Sequence, residues 1–382
     1  MNSTLFKTIG FKKAGFKKAG LVLLAALSLF GIVQAEEPAD QPKVLLVASS
    51  YGVADDPTKP GMEFDEYSMA YQLLSPQVQL ELASPKGGQV EVGEYNKTKP
   101  YNAAVLASPD AMALLANSKK LSDIKASDYQ AVLVLGGKGA MFDLADHQPL
   151  QQLLADMATQ QKIIAAVCHG PAALVHVKNA DGSMFLQGKK VAGFSNQEET
   201  MFAKEMLQLY PFLLQDALTK AGALYQHTGP MLPLTVQDGK LITGQNPYST
   251  PALIGAILAQ LELKTAQRQA YPDEQAVTLI QQFLAGQPIP QQLDAKQVDI
   301  PLLAIWGYYY LQFAKADPER KQAVQVMELV SGSFTDPQFL MALAQGQLQL
   351  GNTTRAVELA KAVLKQQPDF KAAEQLLSTV KG

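Results

Sequence analysis

Residues 163–171, with the sequence IIAAVCHGP, decide the fold of this chain. The first five residues are all apolar, which is typical of a short strand buried on both faces of a parallel sheet. We expect the strand to stop at Cys168, because Gly170 permits close backbone approach and Pro171 suits the first position of a helix. A strand that turns so abruptly into a helix predicts a nucleophile elbow, in which the Cys168 side chain projects at the carboxyl edge of the sheet.

Further apolar runs alternate with helical patterns on both sides of this segment. Strands are predicted at residues 44–48, 79–83, 131–135, 162–167, 234–236 and 241–243. Helical spacing occurs at residues 63–74 and 252–261, and the QDGK sequence of residues 237–240 predicts a hairpin turn. Because strands separated by helices form parallel sheets, we predict an α/β fold with helices on both faces of the sheet.

The chain changes character after residue 264, where Gln becomes frequent and no strand is predicted. Two similar units follow at an offset of 33 residues, and the second, residues 350–368, resembles a tetratricopeptide repeat. Gly351 fits the turn between two helices, and Ala356 fits their close crossing point. Because about three such units are needed for a free-standing solenoid, we expect these helices to pack on the α/β domain or on another subunit. A plain helical cap is the alternative.

The first 35 residues have the pattern of a targeting segment. They hold five of the 32 basic residues of the chain and none of its 35 acidic residues. The apolar stretch at residues 21–33 is short for a membrane span, and it ends at the VQA sequence of residues 33–35. We predict a cleavable signal peptide with cleavage after Ala35, and a periplasmic or secreted protein. An uncleaved membrane anchor is the alternative.

These patterns predict four segments along the chain. They are a signal peptide at 1–35, an α/β domain at 36–264, a linker with a helix at 265–300, and a smaller all-α helical-repeat domain at 301–382.

Composition excludes several classes of protein. With 382 residues, 47% hydrophobic and 18% charged, the chain is neither disordered nor collagen-like. Its formal net charge of −3 and its three arginines make a nucleic-acid partner a poor fit. A single cysteine excludes an internal disulfide.

Cys168 is that cysteine, and its setting indicates a reactive thiol. Backbone amides and the dipole of the following helix favour an anion, so we expect the pKa of the thiol to be lowered. A buried, inert cysteine is the alternative reading.

Residues 165–171, AAVCHGP, resemble the signature of the ThiJ/PfpI superfamily. Further matching motifs occur in family order at residues 83–88, 136–143, 191–199 and 243–247. They point to the branch that contains heat-shock chaperone-like proteins and glutathione-independent glyoxalases. The resemblance covers about residues 43–262 and implies a flavodoxin-like parallel sheet sandwiched by helices.

The resemblance also implies a carboxyl group beside the thiol. Glu66, five residues after Gly61, matches the family glutamate. In a dry pocket next to Cys168 this carboxyl is expected to stay protonated and to act as an acid or base. Because Glu63 and Asp65 lie in the same turn, an exposed acidic helix face is the alternative.

A histidine and an acid complete the candidate catalytic residues. His169 directly follows the nucleophile, as in this family, whereas the catalytic histidine of glutamine amidotransferases lies far downstream. That spacing argues against ammonia transfer. Glu199 best matches the acid that orients the histidine, and Glu198 is the alternative because the register is uncertain by one residue.

The oxyanion and substrate pocket is expected to include Gly137, Lys138 and Gly170. Lys138 stands where this branch usually has histidine, and a cation there can bind an oxyanion or carboxylate. We expect no metal and no cofactor, because no pair of histidines has ligand spacing. Structural roles are expected for His147, His176 and His227.

The resemblance implies a glyoxalase that adds the Cys168 thiol to a 2-oxoaldehyde such as methylglyoxal. Its expected partner is a small carbonyl compound, with no nucleic acid. A homodimer and a protein partner bound through the C-terminal repeats are left open. The alternatives are a stress-protective chaperone with a redox-sensing cysteine, and a cysteine peptidase or amidase of the same superfamily.

Overall fold

The computed structural model of the protein describes residues 41–381, except residues 55, 57, 266 and 291. The predicted signal peptide at 1–35 lies outside the described residues. Within the part of the chain that is described, no helix combines the length and the apolar character needed to cross a membrane.

The centre of the fold is a seven-stranded sheet. The strands of the described chain are β1 Lys43–Val47, β2 Gln79–Ser84, β3 Lys119–Lys120, β4 Ala131–Val134, β5 Ile163–Val167, β6 Lys190–Val191, β7 Leu224–Tyr225, β8 Thr235–Asp238 and β9 Leu241–Gly244. The strand order of the sheet is β3-β2-β1-β4-β5-β9-β8, and β6 and β7 form a separate pair. All neighbouring strands run parallel except β8 and β9. The predicted parallel α/β fold is therefore confirmed.

The six predicted strands correspond to β1, β2, β4, β5, β8 and β9. The antiparallel pairing of β8 and β9 confirms the predicted hairpin. Three strands of two residues each, β3, β6 and β7, are not predicted, because two residues are too few to show a period.

Helices cover the sheet and form the C-terminal part of the described chain. They are α1 Phe64–Leu74, α2 Pro100–Leu106, α3 Pro109–Ala116, α4 Ala140–Asp143, α5 Gln148–Thr159, α6 Asn196–Phe202, α7 Leu214–Lys220, α8 Thr250–Gln260, α9 Pro272–Leu284, α10 Ile300–Phe313, α11 Asp317–Val330, α12 Pro337–Gln349, α13 Thr353–Gln366 and α14 Lys371–Lys381.

The main hydrophobic core surrounds the central strands of the sheet. All of β4 and β5 is buried, as expected for strands covered on both faces. Because parallel strands point the same way, the segments that follow β1, β4 and β5 meet at one edge of the sheet. Cys168 lies at this edge, directly after β5.

The C-terminal helices α9–α14 form a second hydrophobic core, and the predicted all-helical region is confirmed. This second core also contains Met231 and Leu232 from the α/β part, so the two parts share an apolar contact. Ala323 and Ala356, which occupy equivalent positions in the two predicted units, are both fully buried. Their classification as tetratricopeptide repeats stays a prediction.

Candidate active site

The backbone of Cys168 has the strained geometry of a nucleophile elbow. Its φ of 59° lies in the left-handed region, which costs a residue with a side chain about 1–2 kcal/mol. Two hydrogen bonds hold it there. The Cys168 N–H donates to the Gly244 carbonyl at 2.9 Å, and the Cys168 carbonyl accepts from the Phe194 N–H at 2.9 Å. The end of β9 and the segment that follows β6 therefore fix the position of the thiol.

A short 3₁₀ helix, Gly170–Leu174, follows the elbow in place of the predicted α-helix. All five of its residues are buried. Gly170 packs so closely on β4 that an added Cβ atom would lie 2.3 Å from the Val134 carbonyl oxygen. The tighter winding of a 3₁₀ helix suits a short, buried connection. Gly170 allows this connection to approach β4 closely.

Glu66 of α1 lies beside the thiol in a closed environment. Its side chain is fully buried, and its Oε2 accepts a 2.6 Å hydrogen bond from the Gly136 N–H. Burial raises the pKa of Glu66 well above its usual range, and the charge of Glu63 raises it further, while Gly136 and Cys168 act in the opposite direction. Glu66 is therefore a neutral carboxyl, which can donate a proton to a bound oxygen.

His169 and Glu199 form a hydrogen-bonded chain with the thiol. The Cys168 Sγ lies 3.3 Å from His169 Nδ1, and His169 Nε2 lies 2.9 Å from Glu199 Oε1. When Nε2–H donates to Glu199, the Nδ1 lone pair faces the thiol and can accept its proton. The histidine ring is 2% exposed and packs on Phe194, so its orientation is fixed.

Glu198, the alternative acid, has a different role in the structure. It accepts hydrogen bonds from the Met231 N–H and from the side chains of Ser195, Gln245 and Asn246. It also forms a capping box with Ser195 at the start of α6. Of the two neighbouring acids, the structure therefore brings Glu199 to His169 and uses Glu198 to anchor α6.

The expected lowering of the thiol pKa is wrong for the resting site. Cys168 is only 3% exposed. Burial raises the pKa of the Cys168 thiol well above its usual value, and the carboxyl groups of Glu66 and Glu63 raise it further. The Gly137 N–H acts in the opposite direction but is outweighed. The thiol therefore needs a base to remove its proton as it reacts.

Glu63 is a functional candidate that the sequence analysis named only in the alternative of an exposed acidic helix face. It precedes α1 as its N-cap, and it is partly buried. Burial raises the pKa of Glu63 to about 7, the charge of Asp65 adds to the rise, and Lys99 and Lys138 act in the opposite direction. The charge beside Glu66 and the thiol therefore changes near neutral pH.

Tyr210 is a second residue that the sequence reasoning missed. Among the described residues, its buried hydroxyl and Glu199 Oε2 both lack a hydrogen-bond partner. Burial raises the pKa of Tyr210 well above its usual value, and the charges of Glu199 and Cys168 add to the rise. The ring packs 5.7 Å from Phe142 and 6.1 Å from His169, measured between centroids. The hydroxyl therefore lies close to the Glu199 carboxyl, which orients His169, and can act on the catalytic chain through it.

The predicted pocket residues Gly137 and Lys138 are placed differently from each other. Gly137 has a φ of 93°, and its N–H lowers the pKa of the Cys168 thiol. The Lys138 ammonium instead donates to the Phe202 carbonyl at 3.3 Å and contacts Glu205 at 3.4 Å. Within the described residues, no group of three or more His, Cys, Asp or Glu side chains is arranged to hold a metal ion.

Comparison with known proteins places this arrangement in a family. The model of the DJ-1/PfpI family matches residues 58–260, which is more than half of the chain. The match includes Glu66, Cys168, His169 and Glu199. The chain belongs to the DJ-1/PfpI family.

Relatives of this DJ-1/PfpI protein include enzymes of one described type. A glutathione-independent glyoxalase of Schizosaccharomyces pombe is 31% identical over 235 residues, which are 57% of this chain and 96% of that protein. A protein of the same description from Saccharomyces cerevisiae is 29% identical over 190 residues, 49% of this chain and 71% of that protein. These names support a glyoxalase-like function.

The solved structures also cover the α/β part of this DJ-1/PfpI chain. The X-ray structure of the 24 kDa rapid encystment protein of Francisella tularensis is 30% identical, with a TM-score of 0.54. The match covers 58% of this chain and 99% of that protein. Helices α9–α14 lie beyond the residues that the family model matches.

Proposed function

We propose that this protein is a cofactor-independent glyoxalase-like enzyme that converts small 2-oxoaldehydes such as methylglyoxal into 2-hydroxy acids. The observation that carries the proposal is the buried contact of one thiol with a proton-accepting histidine and a carboxyl of raised pKa. The names of the relatives support the same reaction class.

The first step forms a carbon–sulfur bond. His169 Nδ1 accepts the thiol proton as the Cys168 sulfur adds to the aldehyde carbon of methylglyoxal. Neutral Glu66 donates its proton to the aldehyde oxygen, so that a hemithioacetal and a Glu66 carboxylate result. The Gly137 N–H stabilises negative charge on the sulfur as it develops.

The second step moves a hydrogen between the two neighbouring carbons of the substrate. The Glu66 carboxylate removes the proton from the former aldehyde carbon while protonated His169 gives its proton to the ketone oxygen, so an enediol results. Glu66 then returns its proton to the former ketone carbon, and the hydroxyl on the former aldehyde carbon gives its proton back to His169. The product is a thioester of lactate with Cys168. Addition of water to the thioester releases lactate and regenerates the thiol, so methylglyoxal and one water give lactic acid.

Burial of the thiol favours a small substrate over the alternatives. A sulfur that is 3% exposed is out of reach of an extended polypeptide, which weakens the peptidase reading. Its raised pKa also weakens the redox-sensor reading, because the thiolate is the form that peroxide oxidises.

Lactate formation from methylglyoxal by the purified protein tests the proposal. We expect turnover by the wild type, and its loss in Cys168→Ala and Glu66→Gln. Glu205→Gln, which changes an exposed carboxyl, is the matched control and should retain turnover. Equal lactate formation by the wild type and both active-site variants would contradict the proposal.

We also propose that the mature protein is exported, on the basis of the basic and apolar pattern of residues 1–35. N-terminal sequencing of the protein purified from its own cells tests this. A start at Glu36 supports export with cleavage, and an intact N-terminus contradicts the predicted cleavage.

A further inference from the structure

Helix α10 of the C-terminal region packs against the helix that carries Glu199. The rings of Tyr309 in α10 and Phe202 at the end of α6 meet edge to face, with centroids 5.0 Å apart. Met201 of α6 and Trp306 of α10 line one apolar cleft beside this contact. The end of α6 is therefore held by α10.

The same end of α6 is bound to the glycine loop beside the thiol. The Phe202 carbonyl accepts a hydrogen bond from the Lys138 ammonium, and Lys138 directly follows Gly137. Phe202 thus connects α10 to the loop at Gly137 as well as to the helix that carries Glu199.

Helix α9 is linked, through residues at the start of α2, to the helix that carries Glu66. Asp273 of α9 is 4% exposed and accepts a 2.5 Å hydrogen bond from the Tyr101 hydroxyl. It also lies 3.4 Å from the Lys99 ammonium, which contacts Asp65 at 2.5 Å. Asp65 directly precedes Glu66 in α1.

Aromatic packing and charge reinforce this second contact. The ring of Tyr271, which precedes α9, meets the ring of Tyr101 edge to face at 4.9 Å. Burial lowers the pKa of Lys99, but the carboxylates of Asp65 and Asp273 raise it by more, so the ammonium stays charged. A partly buried ion network of Lys99, Asp65 and Asp273 resists separation of α9 from α1, because separation would leave the buried Asp273 charge unpaired.

We infer that the C-terminal helices position the active site, with Tyr309 and Asp273 acting as positioning residues for Glu199 and Glu66. The inference deepens the proposed function and rests on the same site. Because both residues lie beyond the part matched by the family model, this support is supplied by the extension and not by the family domain. Two contacts on different helices therefore support the two helices that carry Glu199 and Glu66.

Alkylation of Cys168 by iodoacetamide tests the inference without using the glyoxalase reaction. Cys168 is the only cysteine in the chain, so the rate reports one sulfur. Because the thiol is buried, alkylation requires local opening of the site. In the full chain we expect Tyr309→Ala and Asp273→Ala each to raise the alkylation rate by about fivefold, the size expected for loss of one good contact. Turnover of methylglyoxal should fall by a similar factor.

Conservative and distant substitutions serve as matched controls. Tyr309→Phe keeps the ring contact and should react like the wild type, while Asp273→Asn keeps an oxygen for Tyr101 and should fall between wild type and Asp273→Ala. Leu359→Ala in α13 removes a buried side chain within the helical region and should lower the melting temperature without changing alkylation at 25 °C.

The outcomes separate this inference from the proposed function. Faster alkylation in Tyr309→Ala and Asp273→Ala, but not in Tyr309→Phe or Leu359→Ala, supports the inference. If Tyr309→Ala and Asp273→Ala are alkylated no faster than Leu359→Ala, the inference is overturned. If the alkylation pattern holds while even the wild type forms no lactate, the positioning role stands and the glyoxalase proposal fails.

Discussion

Replacing Glu66 by Gln separates the chemical role of the carboxyl from its structural role. In the wild type, the Gly136 N–H donates a 2.6 Å hydrogen bond to Glu66 Oε2. The Gln amide retains an oxygen that can accept this hydrogen bond, but the amide cannot transfer a proton. General acid–base catalysis is worth about 10²–10⁴-fold, or about 3–5 kcal/mol of transition-state stabilisation. We therefore expect kcat/KM for lactate formation to fall by about 10²–10⁴-fold in Glu66→Gln.

The same substitution should make Cys168 more reactive toward iodoacetamide. At pH values above the raised pKa of Glu66, the ionised carboxyl raises the pKa of the thiol. Its replacement by a neutral amide therefore lowers the thiol pKa and increases the thiolate fraction at those pH values. Loss of turnover together with faster alkylation is a pair of opposite changes that general unfolding does not explain. The exposed Glu205→Gln variant should change neither quantity.

Stability against urea gives a third readout, and its sign follows from the raised pKa of Glu66. A carboxyl whose folded-state pKa is raised favours folding while it is protonated, and this contribution is lost as pH rises from about 4.5 through the folded-state value. Glu66→Gln has no such loss, so its free energy of unfolding should exceed that of the wild type increasingly as pH rises above about 4.5. Turnover above half of the wild-type value, or slower alkylation in Glu66→Gln, would contradict the proposed role of the Glu66 carboxyl.

Three further substitutions test separate parts of the site. Glu63→Gln removes a group whose pKa is about 7. The alkylation rate of Cys168, measured as a function of pH, should therefore lose the inflection that Glu63 contributes near neutral pH. An unchanged pH profile would show that Glu63 is not coupled to the thiol. Tyr210→Phe removes a buried hydroxyl without a partner among the described residues, so the melting temperature should stay or rise while kcat falls by about tenfold; a wild-type kcat would contradict a role for the hydroxyl. Glu198→Ala leaves buried donors unpaired on Ser195, Gln245 and Asn246, so it should lower the free energy of unfolding in urea by about 3 kcal/mol. A loss below about 1 kcal/mol would contradict the anchoring role of Glu198.

The sheet and the elbow were predictable because their signals are local. An apolar run of five residues followed by Cys-His-Gly-Pro is sufficient to indicate a buried strand that ends in a sharp turn. The choice between Glu198 and Glu199 was also within reach of the sequence. Ser195 and Glu198 have the spacing of a capping box, which directs Glu198 back to the helix start and leaves Glu199 for His169.

The ionisation of the thiol was not predictable from local rules. The helix-start argument considers only residues next to Cys168, whereas the pKa of the thiol is raised by burial and by carboxyl groups that α1 brings from elsewhere in the chain. Tyr210 lies in an irregular segment whose position beside His169 depends on tertiary packing, so neither periodicity nor motif marks it.

The most direct test of the account follows the aldehyde carbon of methylglyoxal, labelled with ¹³C, by NMR. With wild-type protein the label should appear in the carboxyl carbon of lactate. With Glu66→Gln the label should reach lactate at least about 100-fold more slowly, and with Cys168→Ala it should stay in free methylglyoxal. Lactate formed at the wild-type rate by either variant would contradict the claim that a single buried thiol and its neighbouring carboxyl perform the reaction.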